Sequence, residues 1–552
     1  MTKAKIIAVI VVTVILLACA VYFMAFTGEP CKVIDLADFQ PSITFSSGLR
    51  FGLGYAVKGY ASIVNETGAD LVRIPLVAWG WIEPNPPVNG VHYYNWTRLD
   101  ELIREYQESG FDIQVIIKAA NPWACTGYET DPREMFRKSY PPKEECWDDY
   151  YQFIYNLVER YDGDGYKDMP GLIHPVLYYE IESEAHNPTF WAGTIDDYRR
   201  LLETAYTAAK QANPEAKIIL AGINFGNFFD SNPSPEEIEK AIENLPPWKK
   251  QIYDFIVASL GMGEYYDIID IHFNRDYRGI KPAVKWVKGI LAEKGYDKPI
   301  WAGDVCSVPW ITDGKHESLV YALLHPESPE HKEAEKWLRE EQAKLTVKKL
   351  VASASAGLKA FILETIRDFP QNAYKNALKE SFIFAGLVDE NGKPRPAFYA
   401  YKQAIEKIRG YYKVEYWQID ETFIHKFYLE DRAPVYVAWS ENEATVILHL
   451  STSHVRVEPL ALSANYSENA RIENVTGGKL SIKLSSSPIF IEELADEIQS
   501  ASTSRGLFTS PSLKLDSPLE AYTLPTYDSA GVEKWANAKS KIKSLNASYA
   551  LS

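Results

Sequence analysis

Cysteine is scarce in this chain, with five in 552 residues, and methionine is equally rare. So few cysteines cannot staple a protein of this size into a disulfide framework. Positive charge is also short: 58 Lys and Arg stand against 74 Asp and Glu, a net charge of −16. That balance opposes nucleic-acid binding, which relies on basic surface to release phosphate counterions. The sequence has no Walker loop, no His-Glu-x-x-His, no paired Cys-x-x-Cys and no Gly-x-Ser-x-Gly elbow. Gly52 to Gly59 sets glycines after a strand but lacks the dinucleotide spacing and its acidic partner. Neither a metal nor an organic cofactor is implied. Aromatics are plentiful, with 14 Trp and 35 Tyr, which suits a sugar-stacking cleft or simply a large core.

Long apolar runs are missing except at the start. Lys3 and Lys5 precede an almost unbroken apolar stretch from Ile6 to Phe26. A stretch of that length can span a bilayer as a helix with the lysines on the cytoplasmic side. Ala18-Cys19-Ala20 also fits signal-peptide cleavage, and Cys19 fits a lipidated cysteine. All three readings export the rest of the chain, as a single-pass membrane protein with an extracellular bulk or as a secreted one. Five Asn-x-Ser/Thr sequons, at Asn65, Asn95, Asn465, Asn474 and Asn546, agree with an exterior location. In that setting Cys125 and Cys146, in one loop, either form a disulfide or remain two thiols.

At this length more than one globular unit is expected. Strand-like runs at Phe51–Tyr55, Leu71–Leu76, Ile113–Lys118, Val176–Ile181, Ile218–Gly222, Ile268–Phe273, Pro299–Ala302 and Leu358–Leu363 alternate with amphipathic segments. The helical segments include Arg98–Glu108, Asp148–Arg160, Asp196–Ala212, Ile252–Leu260 and Lys332–Ala354. The fold class is therefore α/β: an eight-stranded (β/α)8 TIM barrel over residues 31–410, behind a membrane anchor or signal segment at 1–30. Short alternating runs such as Pro434–Trp439 and Ala444–Leu450 predict an antiparallel β-sandwich over 411–495. The remainder, 496–552, is Ser-rich and reads as an irregular tail with one short helix near Val532–Leu545.

The most informative stretch runs from Tyr179 to Trp191. The run Val176–Ile181 delivers Glu180, Glu182 and Glu184 to the end of the fourth strand, the face where barrel enzymes do their chemistry. A glutamate there is either a proton donor or a solvated residue at a helix entry.

Spaced motifs across residues 50 to 495 resemble those of the retaining β-glycosidases of glycoside hydrolase clan A. The resemblance is strongest to the β-xylosidase-like branch with a trailing β-sandwich. They are Val72-Arg73-Ile74 with Trp79 and Ile82-Glu83-Pro84, Asn121-Pro122-Trp123-Ala124, Asp270-Ile271-His272, Lys298-Pro299-Ile300-Trp301 and Gly386-Leu387-Val388-Asp389. The family places its catalytic Glu seven residues before the Trp of a Phe-Trp pair, which selects Glu184 ahead of Phe190-Trp191. The resemblance then implies hydrolysis of a β-linked oligo- or polysaccharide, with Glu184 as acid/base and Asp304 where the family carries a nucleophilic Glu. It further implies sugar contacts from Arg73, Trp79, Trp123, His186 and His272. Trp191 is the aromatic best suited to packing alone.

Four positions depart from the family pattern. Asp304 is one methylene shorter than Glu, so its carboxylate is drawn back by ~1.5 Å. That moves a retaining separation of ~5–5.5 Å toward the ~6.5–9.5 Å of inverting enzymes. Ser183 replaces an Asn that holds the sugar 2-hydroxyl. Asn274 stands where a Tyr is expected, with Tyr277 nearby as a substitute. Glu364 replaces a Trp at the end of strand eight and either joins the site or pairs with Arg367. Such changes accompany either a new substrate or loss of catalysis in a sugar-binding or structural protein of the same fold.

Overall fold

The computed structural model describes residues 32–45, 48–128, 135, 137–309, 317–369 and 384–494. The apolar segment at 6–26, the tail at 496–552 and Asn546 lie outside these residues. Among the described residues no helix is long and apolar enough to cross a membrane.

Eight parallel strands close into a barrel. They are β3 (Arg50–Leu53), β4 (Leu71–Ala78), β5 (Asp112–Lys118), β6 (Tyr178–Ile181), β7 (Lys217–Asn224), β8 (Ile268–His272), β9 (Ile300–Cys306) and β10 (Ala360–Glu364), with β10 paired back to β3. Every strand expected from the apolar runs is present. The main difference is in β9, which runs on through Gly303 and Asp304 to Cys306. Backbone pairing to β8 and β10 carries it past the polar residues.

The helices follow local signals. Helix Ile195–Ala212 opens on a capping box: Asp197 N–H donates to Thr194 Oγ1 at 3.2 Å, and Thr194 N–H donates to Asp197 Oδ2 at 2.7 Å. Its buried residues, Tyr198, Leu201, Leu202, Ala205, Ala208 and Ala209, recur at three- and four-residue spacing. Side-chain alternation splits the barrel core in two. Leu71, Ile219, Ile268, Trp301, Ala360 and Ile362 fill the lumen near the amino ends of the strands. Val72, Ile74, Ile113 and Val115 face the surrounding helices. Two residues beyond Leu71 and Ile268, the same inward face carries Arg73 and Asp270, so the lumen changes from apolar to charged toward the carboxyl ends.

The second unit is a sandwich of two sheets, but its boundary differs from the expected 411–495. Strands β1 (Lys32–Asp35) and β2 (Ser42–Phe45) precede the barrel and belong to the sandwich. The remaining strands are β11 (Tyr411–Ile419), β12 (Thr422–Leu429), β13 (Val435–Ser440), β14 (Ala444–His449), β15 (His454–Pro459), β16 (Arg471–Asn474), β17 (Lys479–Leu484) and β18 (Ile489–Leu494). One sheet has the order β1-β14-β17, the other β16-β15-β18-β13-β12-β11-β2. The runs at 32–45 form strands of only four residues each, too short to announce themselves in sequence. In the larger sheet Val414, Phe423, Phe427, Val435, Val437 and Trp439 pack into the barrel's outer core. Alternate residues Trp417, Ile424, Tyr436 and Ala438 face Val446, Leu448 and Ile482 of the smaller sheet.

Candidate active site

The three glutamates after Tyr179 have separate fates. Glu180 is fully buried in the lumen, where it accepts from Gln114 Nε2 at 2.9 Å and Gly222 N–H at 3.1 Å. Glu182 accepts from Ala119 N–H and Ser139 Oγ, both at 2.7 Å, and so ties two loops together. Glu184 alone keeps part of its side chain, 11 %, open to solvent at the barrel mouth. Glu182 and Glu184 both have positive φ, 64° and 49°, a backbone state that is rare without glycine and collects at functional sites.

Glu184 is held from three directions. His272 Nδ1 lies 2.9 Å from Oε1, Asn224 Nδ2 donates to the same oxygen at 2.9 Å, and Asn187 Nδ2 donates to Oε2 at 3.2 Å. Burial alone would raise its pKa, but the His272 hydrogen bond and charge outweigh burial and bring it down to about 2. His272 moves the other way. Burial lowers its pKa, yet the negative charges of Asp304, Asp270 and Glu184 hold it well above the usual histidine range. His186, buried beside this pair, is pushed down to about 4 by burial, only partly offset by the Glu184 charge.

Asp304 faces the same imidazole from β9, with 13 % of its side chain exposed. The strand pairing slips by one residue between Asp270–Trp301 and His272–Asp304. This bulge turns Asp304 into the lumen. Arg73 Nη2 donates to Asp304 Oδ2 at 2.7 Å and to Glu364 Oε1 at 3.1 Å, while Nη1 lies 3.7 Å from Asp270 and 4.0 Å from Glu180. Burial works against ionisation of Asp304, but Arg73 and His272 outweigh it and keep the pKa below the ordinary carboxylate value. Glu364 is 1 % exposed. Burial and the adjacent Asp304 charge raise its pKa well above the ordinary carboxylate value. Glu180 is pushed up to about 8 by burial and by Asp270.

Two glycines make room for these charges. A Cβ on Gly222 would lie 1.8 Å from His272 Nε2, and one on Gly303 would lie 2.2 Å from Asp270 Oδ1. Gly222→Ala is therefore expected to displace the imidazole and to destabilise the fold by about 1–3 kcal/mol through overpacking. Urea unfolding would measure this, and unchanged stability would contradict the packing described.

The expected residues do not all converge. Arg73, Glu184, His186, His272, Asp304 and Glu364 form one cluster. Ser183 is half-buried in the Glu184 loop. Trp79 is no sugar platform: it is fully buried, its Nε1 donates to Glu83 Oε2 at 2.8 Å, and it packs on Trp123 and Phe153. Trp123 is half-buried and donates to the Glu83 carbonyl at 2.9 Å. Trp191 is 2 % exposed and packs on Tyr198. Asn274 accepts from Cys306 N–H at 3.2 Å, so its carboxamide oxygen braces β9. Tyr277 is no substitute at the site, because its hydroxyl donates to Glu441 of the sandwich at 2.7 Å. Glu364 joins Arg73 rather than Arg367, whose guanidinium lies over the Tyr60 ring. Cys125 and Cys146 are buried free thiols instead of a disulfide. The Cys125 thiol donates to the Ala119 carbonyl at 3.2 Å.

Asn187 and Asn224 belong to the cluster without having been singled out, and Glu180 and Asp270, noted in sequence, were given no role there. Asp270 and His272 carried a sequence signal, as charged residues two apart in an apolar run share an inward face. Glu180, Asp270 and His272 bring possible metal-ligand atoms within 4.8 Å of one another. The Arg73 guanidinium beside them opposes a cation there.

No family model matches this sequence, and no curated protein matches it. The fold nevertheless matches solved structures. A family 39 glycoside hydrolase from the gut symbiont Bacteroides cellulosilyticus WH2 superposes with a TM-score of 0.55 at 15% identity, covering 82% of this chain and 83% of that one. A family 39 β-xylosidase from Caulobacter crescentus gives 0.50 at 15% identity, over 84% and 100%. An α-L-arabinofuranosidase from Thermotoga maritima gives 0.50 at 14% identity, over 84% and 99%. The barrel-and-sandwich fold expected from the sequence motifs is thus the fold found.

Proposed function

We propose that this protein is a glycoside hydrolase acting on a β-linked oligo- or polysaccharide without a cofactor, with Glu184 handling the proton at the glycosidic oxygen and Asp304 working at the anomeric carbon. One observation carries the reading: two partly exposed carboxylates, from the β6 and β9 ends, flank the same buried His272 at the barrel mouth. Two-carboxylate hydrolysis needs one group to donate a proton to the departing oxygen and another, ionised, to attack or to activate water. Asp304, kept ionised by Arg73, suits the second role.

The proton for the first role resides in the Glu184–His272 pair. In the free protein it sits on the imidazole, 2.9 Å from Glu184 Oε1. As negative charge develops on the leaving oxygen, the proton passes through Glu184 to that oxygen, and the hydrolytic water later restores it. The pair loses this proton only as pH rises through the elevated His272 value. Activity should therefore persist through neutral pH and decline on the alkaline side. In His272→Gln the proton must sit on Glu184 itself, so the alkaline limb of kcat/KM should move to lower pH. An unmoved limb would remove His272 from the proton path.

A second reading, sugar binding without cleavage, is favoured by one observation: a free-state pKa of about 2 at Glu184 is the reverse of the raised value usual for a general acid. A panel of nitrophenyl β-glycosides and β-linked oligosaccharides separates the two readings. Release of nitrophenol or reducing ends supports hydrolysis, whereas binding without release across the panel supports the alternative. The apolar segment at 6–26 and the exposed sequons at Asn65, Asn95, Asn465 and Asn474 support an extracellular glycoprotein, tethered by an N-terminal helix or secreted.

A further inference from the structure

Away from the carboxylates, the barrel and the sandwich form between them a half-open cavity of about 920 Å³. Helices Pro235–Glu243 and Ile280–Glu293 form one wall, and β11, β12 and β13 form the other. The sandwich presents a patch of aromatic rings there. Tyr416 pairs across strands with His425, and Phe423 with Trp439. Trp286 lines the cavity from the barrel side.

Two polar groups in this wall lack what burial requires. His425 is 1 % exposed, lies against Trp439 and Tyr416, and neither of its ring nitrogens has a hydrogen-bond partner. A buried polar group left unpaired is costly, and its retention calls for an explanation. Lys281 extends over the Tyr416 ring, 3.6 Å from its centroid, and among the described residues no carboxylate pairs with it. Burial pushes its pKa down to about 8. The neighbouring Arg278 is already committed to Asp276 and Glu421. Glu239, Glu243, Lys285 and Glu293 stand exposed around the rim.

We propose that this cavity is a ligand site for an acidic sugar, a uronic acid or a short oligosaccharide bearing one. Its carboxylate would pair with Lys281, a hydroxyl would exchange hydrogen bonds with His425, and its ring would lie against the half-buried Trp286. The volume falls in the range of organic-ligand pockets and far exceeds that of an inorganic anion. The aromatic walls favour a ring body, and the exposed rim glutamates can accept from the remaining hydroxyls. This site is independent of Glu184 and Asp304 and stands whether or not they cleave sugar.

Calorimetric titration of the protein with glucuronic acid, glucose and benzoate tests the proposal. Glucuronic acid should bind at least tenfold more tightly than either of the others. Lys281→Met should weaken it at least tenfold, Lys281→Arg should keep most of the affinity, and His425→Phe should weaken it while preserving the ring stack. Any glycosidase activity should be unchanged in the Lys281 variants, which also checks that they fold. Equal binding of glucose or benzoate, undiminished binding by Lys281→Met, or no binding of glucuronic acid would each overturn the proposal.

Discussion

Glu184→Gln is expected to lower kcat/KM on β-linked oligosaccharides by about 10²–10⁴-fold, the range for removing a positioned acid–base group. Asp304→Asn should lower it at least as far, because it removes the group that works at the anomeric carbon. The two variants should differ with leaving group. A dinitrophenyl glycoside departs without protonation, so Glu184→Gln should retain far more activity on that substrate than on an oligosaccharide. Asp304→Asn should be equally impaired on both. Neither change should alter the fold, since amide and carboxyl are nearly isosteric. If both variants turn over normally, the two-carboxylate mechanism is wrong. Asp304→Glu adds about 1.5 Å of reach and reports whether the shorter acid sets the spacing. A variant that hydrolyses with retention where the parent inverts would establish that it does.

The largest effect on stability is expected at Arg73. Its guanidinium is 2 % exposed and lies among Asp304, Glu364, Asp270 and Glu180. Removing one partner of a buried ionic network leaves the others uncompensated and typically costs about 3–5 kcal/mol. Arg73→Met should therefore lose about that much in urea unfolding near pH 7. The sign of its pH dependence follows from linkage. Without the cation, the folded-state pKa values of Glu364 and Glu180 rise further above their unfolded values, and Asp304 loses the depression that Arg73 gives it. The contribution of these raised groups to the variant's stability is fully present below the unfolded carboxylate range and is lost as pH rises through the raised values. The gap between parent and variant should narrow at pH 4 and widen at pH 8. A constant gap would mean that Arg73 contributes mainly packing.

Residues 176 to 191 and 298 to 306 make much of this legible in the sequence itself. Periodicity located all eight barrel strands, because a buried parallel strand is an apolar run and an amphipathic helix has its own spacing. The Phe-Trp register, taken from the glycosidase resemblance, pointed to Glu184 over Glu180 and Glu182, which composition alone could not do. Side-chain direction was less accessible. Trp79 and Tyr277 carry the residue types of a sugar site but turn into the core and toward the sandwich, a choice made by Glu83 and Glu441. Asn224 and Asn187 reach Glu184 from separate segments, and neither sits in a pattern that marks it. The strands at 32–45 were missed because they pair with residues about 400 positions later, beyond any local signal.

Those early strands have a consequence for how the molecule comes apart. Sequence from both sides of the barrel is zipped into the same two sheets, so cutting at residue 49 or at 410 would expose raw sheet edges. Neither module can then be expected to survive amputation. Tension applied at the two ends should peel the sandwich before it reaches the cylinder, leaving the charged interior as the last part to yield.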